Sequence, residues 1–238
     1  MGPRIREPVK QWGGRMMDDL TKRSVDDFLD AVAQRTPTPG GGSVAGAAGA
    51  LACALARMAA EYSIGKNTNR PNALERWGEE FASTSVGDRM EAVLNRLRGA
   101  DEILRGLVTQ DAVAYAAMSA AGKAAHDIPA AKPAYQDAVL AAVVVPLEAA
   151  AAASHALSAM DELKDFANRQ LLSDLGVAAV LAEAVARAAW YMVTVNLPQL
   201  SDAATRTKLR GNIDETIRHC EGYRRSVETF VRSYLETK

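Results

Sequence analysis

One acid in the chain sits where proton chemistry is possible. Asp111, in Thr109-Gln110-Asp111-Ala112-Val113-Ala114-Tyr115, lies in an apolar helical run with Tyr115 one turn further along the same face. Partial burial there would raise its pKa and suit it to take up and return a proton. A solvated acid at the edge of an amphipathic face has the same spacing, and spacing alone favours that plainer reading. A second feature is Pro37-Thr38-Pro39-Gly40-Gly41-Gly42-Ser43, a glycine turn ahead of a small-residue helix. Its free backbone N–H groups suit an anion or a carbonyl oxygen. No Gly-Lys-Ser/Thr follows and no strand precedes it, so neither a P-loop nor a dinucleotide fingerprint is present.

Three further places carry polar groups at helix ends. Asn168-Arg169-Gln170-Leu171-Leu172-Ser173-Asp174 sets Asn168, Ser173 and Asp174 before a helix, where an N-cap accounts for only part of the set. Lys66 follows Gly65 where a dipole-compensating cation belongs, and Asn196 stands before Pro198 as a helix terminator. His126, His155 and His219 are scattered and Cys53 and Cys220 lie far apart, which gives no metal-ligand spacing and no CxxC. No Gly-x-Ser-x-Gly or Cys-His arrangement supports a covalent nucleophile.

The elements that must position these residues are helical. The chain has 238 residues, 48% of them hydrophobic and 24% charged, which fits a globular domain and not a disordered one. Lys and Arg number 28 against 29 Asp and Glu, a net charge of -1 with no field for nucleic acid or an anionic membrane. The apolar stretch from Val44 to Ala60 is Ala- and Gly-built and carries Arg57, which reads as a helix buried in protein and not as a membrane span. No signal-peptide core is visible between Met1 and Lys10, and two unpaired cysteines fit a reducing cytoplasm.

Prolines and glycines break residues 1–22 into an arm. From residue 23 to residue 238 the period is that of helices. Ser24 caps a helix over Val25 to Gln34, and Ser43 opens one to about Ile64, closed by Gly65-Lys66. After a loop over Asn67 to Asn72, helix resumes near Ala73 and runs to about Ala121, with a break expected near Ser83 to Gly87. Gly122 to Lys132 is a connection, Pro133 to Met160 a helix kinked near Pro146, and Ser173 a cap for a helix from Asp174 to Val195. The last helix runs from about Asp202 to Leu235. No alternating strand pattern occurs, so the fold class is all-α, a bundle of long helices. Gly46, Ala50, Cys53 and Ala54 form one small-residue stripe and Ala178, Ala182 and Ala186 another. Such stripes pack helices closely, within a chain or across a subunit boundary, and periodicity does not choose.

Several of these segments recur together, in order. Ser24-Val25-Asp26-Asp27-Phe28-Leu29, Thr38-Pro39-Gly40-Gly41-Gly42-Ser43, Ile64-Gly65-Lys66, Asp111-Ala112-x-Ala114-Tyr115, Val145-Pro146-Leu147, Ser173-Asp174-Leu175-x-Val177-Ala178-Ala179 and Val195-Asn196-Leu197 make the chain resemble the cyclodeaminase/cyclohydrolase family from residue 24 to about 215. That family includes the C-terminal half of formiminotransferase-cyclodeaminase and bacterial methenyltetrahydrofolate cyclohydrolases. Met192 stands where asparagine is common in the family, and no run of basic residues follows Gly65.

The resemblance implies an all-helical homodimer that holds a tetrahydrofolate one-carbon adduct as substrate, with no metal and no bound cofactor. It implies Asp111 as the acid/base, Lys66 as its cationic partner, and Gly40, Gly41, Gly42, Ser43, Asn168, Ser173, Asp174 and Asn196 as folate-lining residues. The expected reaction is hydrolysis of 5,10-methenyltetrahydrofolate to 10-formyltetrahydrofolate, since no transferase domain accompanies the resemblance. Formiminotetrahydrofolate cyclodeamination and a non-catalytic folate-binding or helical interaction protein are the alternatives. The interaction protein would have lost the acid/base pair, and both Lys66 and Asp111 are present.

Overall fold

The computed structural model of the chain describes residues 19–64 and 86–237. Among them are six α-helices and no strand: α1 (Val25–Ala33), α2 (Gly41–Glu61), α3 (Val86–Asp127), α4 (Lys132–Leu163), α5 (Leu172–Asn196) and α6 (Ala203–Glu236). Short 3₁₀ turns at Leu20–Lys22, Pro129–Ala131, Arg169–Leu171 and Leu197–Gln199 join or precede them.

Four helices form a closed ring. α2 packs on α3, α3 on α4, α4 on α5 and α5 back on α2, and α6 lies over α4 and α5. The core is built from small residues, with Ala52, Cys53, Ala56, Ala59 and Ala60 of α2 facing Leu97, Leu104, Leu157, Ala182 and Val185 of its neighbours. Close approach replaces side-chain bulk. A methyl group on Gly46 would fall 2.9 Å from the Leu104 carbonyl oxygen, and one on Gly49 would fall 2.8 Å from Leu104 Cδ2. The stripes Gly46/Ala50/Cys53 and Ala178/Ala182/Ala186 are therefore spent inside the chain, while Ala54 faces outward.

Ion pairs bind the ring further. Asp101, buried on α3, accepts from Arg57 of α2 at 2.9 Å and from Arg105 at 2.8 Å. Glu183 of α5 pairs with Arg187 at 2.6 Å and with Arg224 of α6 at 3.4 Å. Burial pushes the free Cys53 thiol up to about 12 and the free Cys220 thiol to about 11, so neither supplies a thiolate at neutral pH. By length and composition alone α2 and the stretch Pro129–Leu163 could each cross a bilayer; here 56% and 44% of their most apolar windows are buried in the bundle.

Several helix ends differ from the sequence reading. Ser24 does cap α1, accepting from the Asp27 N–H at 3.1 Å. α2 begins at Gly41, before Ser43, because Gly40 supplies an extended N-cap and Ser43 is already buried in the first turn. α3 runs past Ala121 to Asp127, and Gly122 lies inside it against the Tyr135 ring of α4. α4 runs unbroken through Pro146. Ser173 is not a cap: the Arg169–Leu171 turn leads directly into α5 at Leu172, where buried Leu172 and Leu175 anchor the first turn. The 3₁₀ turn is itself capped by Asn168, whose Oδ1 accepts from the Gln170 N–H at 3.2 Å. The expected closure at Gly65-Lys66, the loop after it and the break up to residue 85 lie outside the described residues.

The close α2–α3 approach yields a test. Gly46→Ala must push the methyl into Leu104 backbone and is expected to cost about 1–3 kcal/mol. Gly211→Ala on α6, where no other described part of the chain lies within 4 Å of the added methyl, should be neutral or stabilising. Denaturant unfolding of the two variants checks this, and equal effects would contradict the packing.

Candidate functional site

The glycine turn and the acid meet. Gly40 offers α2 no capping side chain, so the first N–H groups of the helix need an acceptor from elsewhere. That acceptor comes from α3. The carboxylate of Asp111 lies against Gly42, so closely that a Cβ there would fall 2.0 Å from Oδ1 and 2.5 Å from Oδ2. Burial raises the Asp111 pKa, and the Ser43 backbone N–H, which favours the ionised form, pulls the other way with a smaller effect. A half-buried carboxylate held by a helix N-terminus keeps its charge next to a positive dipole yet takes a proton more readily than an ordinary one. That is the balance a group needs if it is to serve as base and then as acid.

The walls of this corner are packed. Leu20 is buried with Val108 and Ala112, the residues flanking Asp111 on α3, and Phe28 and Ala47 close the cluster. The Leu20 N–H donates to Thr109 Oγ1 at 3.1 Å, which ties the segment before α1 to the turn of α3 that carries the acid. Ser43 is fully buried beside it, and its hydroxyl has no hydrogen-bond partner among the described residues. Tyr115, one turn on, is 42% exposed at the rim.

α5 brings its C-terminal end to the same corner. A methyl on Gly41 would lie 3.9 Å from Met192 Sδ, so this chain sets a thioether against the turn. One turn later comes Asn196, whose amide is engaged. Pro146 has no N–H, which leaves the carbonyl of Ala142, four residues earlier in α4, without its helical donor. Asn196 Nδ2 donates to that carbonyl at 3.3 Å, and Asn196 Oδ1 accepts from Gln199 Nε2 at 3.3 Å. Pro146 and Asn196 thus form one interaction between α4 and α5.

The remaining sequence candidates lie at the other end of the bundle. The Asn168 N–H donates to Ser63 Oγ at 2.7 Å, and Ser63 follows the C-terminal end of α2. Ser173, exposed, and Asp174, half-buried, sit in the first turn of α5 beside it. At 1.5 Å per residue the 21 residues of α2 separate this group from Gly40–Ser43 by about 30 Å. Within one chain, then, Gly40, Gly41, Gly42, Ser43, Asp111 and Asn196 share one end, and Asn168, Ser173 and Asp174 share the opposite one. Lys66 lies outside the described residues. Among the described residues no three His, Cys, Asp or Glu side chains converge to hold a metal ion.

Comparison with known proteins bears on this arrangement. The family model for formiminotransferase-cyclodeaminase matches residues 24–215. The chain is 32% identical over 210 residues to rat formimidoyltransferase-cyclodeaminase, covering 85% of this chain and 36% of the rat protein. It therefore spans about a third of the length of that relative. To the methenyltetrahydrofolate cyclohydrolase of Methylorubrum extorquens it is 31% identical over 185 residues, 76% of this chain and 82% of the relative. The crystal structure of formiminotetrahydrofolate cyclodeaminase from Thermotoga maritima superposes with a TM-score of 0.78 at 27% identity, covering 91% of this chain and 99% of that one. On sequence and fold together, the chain belongs to the formiminotransferase-cyclodeaminase family.

Proposed function

We propose that the chain hydrolyses 5,10-methenyltetrahydrofolate to 10-formyltetrahydrofolate. The observation that carries this reading is the Asp111 carboxylate, half-buried, raised in pKa and held on the α2 N-terminus. Water adds to the amidinium carbon of the substrate as Asp111 takes one of its protons. The C–N5 bond of the resulting carbinolamine then breaks while Asp111 returns the proton to N5, and the hydroxyl proton leaves to solvent as the formyl C=O forms. The positive charge of the substrate suits a carboxylate-bearing pocket, and the reaction asks for positioning plus one proton shuttle. The relative in Methylorubrum extorquens, matched over 82% of its length, supports this activity.

A second reading has its own support. The Thermotoga maritima structure, matched over 99% of its chain, is that of a formiminotetrahydrofolate cyclodeaminase. There N10 attacks the formimino carbon and the same acid protonates departing ammonia. In either reaction the proposed cation that keeps Asp111 ionised before attack is Lys66 of a second copy of the chain, since α2 separates Ser63 from Asp111 within one chain, and the folate lies along Gly40–Ser43. Two buried, free cysteines support a cytoplasmic setting.

The enzyme is proposed to work as a homodimer. Val44, Ala48, Leu51, Leu55, Met58 and Tyr62 recur at alternating intervals of four and three on the outer face of α2, with Leu51 66% and Tyr62 61% exposed. This is the spacing of a helix seam that seeks a partner. An antiparallel second copy centred on Leu51 would lay the end of one α2 that adjoins Asn168, Ser173 and Asp174 over the Gly40 end of the other. Both groups of site residues would then face one ligand.

Four measurements test this reading. Loss of the methenyl absorbance, run beside an ammonia-release assay with formiminotetrahydrofolate, separates the two reactions; Asp111→Asn should slow the true one by about a hundredfold or more. The same variant has a stability signature. Because burial raises the folded-state pKa, wild type loses stability as pH rises from near 4, the ordinary carboxylate value, through the folded value. Asp111→Asn should therefore melt higher than wild type at neutral pH, with the gap closing near pH 4. Lys66→Met should move the acid limb of the pH–rate profile upward, since a carboxylate without its cation binds its proton more tightly. Leu51→Asp should give a monomer in light scattering with little activity; an active monomeric wild type would contradict the shared site.

A further inference from the structure

We propose that Gly42 is a positioning residue, whose missing side chain is what allows Asp111 to dock on the end of α2. This rests on the assignment of Asp111 to proton transfer, and it extends that assignment to a residue that need not touch substrate.

Three observations support it. A Cβ at Gly42 would meet Asp111 Oδ1 at 2.0 Å, Cγ at 2.1 Å and Oδ2 at 2.5 Å, all well inside van der Waals contact. The carboxyl group therefore occupies the volume that any other residue would fill. Gly42 is helical, with no left-handed backbone to explain the glycine, so alanine costs nothing in conformation and would otherwise favour the helix. Its neighbours behave differently: among the described residues, the nearest contact of an added methyl group would be the Pro37 carbonyl oxygen at 3.5 Å for Gly40 and Met192 Sδ at 3.9 Å for Gly41, ordinary contacts. The requirement is local to one position in the turn, the one beneath the carboxylate.

The second element is the cap. α2 has no side-chain cap of its own. Asp111 reaches it across the helix–helix boundary, and the closeness of α2 and α3 one and two turns further on is set by Gly46 and Gly49. Gly42 continues that row of close contacts to the end of the helix, where it admits a carboxylate in place of an apolar group. The acid is thereby aimed by the backbone of α2. A side chain at Gly42 would swing the carboxyl group aside while leaving the rest of the corner, including Met192 and the outer face of the turn, in place.

The test compares Gly42→Ala, Asp111→Asn and the double variant in the full-length protein. Gly99→Ala, in the same helix as Asp111 with no other described part of the chain within 4 Å of its new methyl, is the control. Gly42→Ala should lower kcat about a hundredfold and remove the acid limb of the pH–rate profile, as Asp111→Asn does. The double variant should be no slower than Asp111→Asn, because a displaced acid and an absent one fail alike. Losses that multiply in the double variant, or wild-type kcat in Gly42→Ala, would overturn the proposal. Should Gly42→Ala fail to fold, Gly42→Ala/Asp111→Gly decides: removing the carboxyl group should restore the circular dichroism spectrum and melting temperature, and failure to restore them overturns it. This arm reads stability alone, so it separates loss of the Gly42 proposal from loss of the folate reading, which falls if wild type itself turns over neither substrate.

Discussion

The site depends on one electrostatic contact, the carboxylate of Asp111 seated on the uncapped N-terminus of α2. Two opposing forces meet there. Burial favours the protonated acid, and the helix end with its Ser43 N–H favours the ionised one. Neither alone makes a proton shuttle. A fully solvated acid holds its proton too weakly, and a carboxylate wholly satisfied by N–H donors will not take one at neutral pH. The contact is possible because the backbones come close: Gly42 yields its side-chain volume to the acid, while Gly46 and Gly49 bring α2 within touching distance of Leu104 on α3.

The rest of the corner serves to keep that contact in place. Leu20 and Phe28 cover the turn of α3 around Val108 and Ala112, and the bond from the Leu20 N–H to Thr109 fixes the cover. On the far side, α5 is registered against α4 by a defect. Pro146 opens one carbonyl in α4 and Asn196 fills it, which sets the height at which Met192 meets Gly41. The polar residues at the other end of α2 are as firmly held, through Ser63 and Asn168. In the proposed dimer these two rigid ends face each other, so that a ligand is gripped by geometry built into both chains.

Helix and its apolar faces were legible because they are periodic. The all-α class follows from the three-to-four spacing and the lack of alternation, and the Ser24 cap follows from a short side chain set before two acids. Ends were less legible where a neighbour decides them. Ser173 has the composition of a cap, yet the buried pair Leu172 and Leu175 pulls the helix start past it. Gly122 looks like a stop and is instead a contact with Tyr135. The glycine turn and Asp111 each drew attention alone, but nothing local says that Gly42 and a residue 69 positions later share one volume. Pro146 and Asn196 did leave a signal, since a proline inside a helix always orphans the carbonyl four residues back; what supplies the donor is visible only in three dimensions. The division of the site candidates between two ends of α2 is of the same kind, because chain order carries no distance.

The central claim is that Asp111 moves the proton, and carboxyl-carbon NMR on aspartate-labelled protein tests it most directly. Followed through a pH titration beside the pH–rate profile, the Asp111 resonance should titrate above the ordinary carboxylate range, with a midpoint matching the acid limb of turnover. An Asp111 that titrates near pH 4, while the rate follows some other group, would contradict the account.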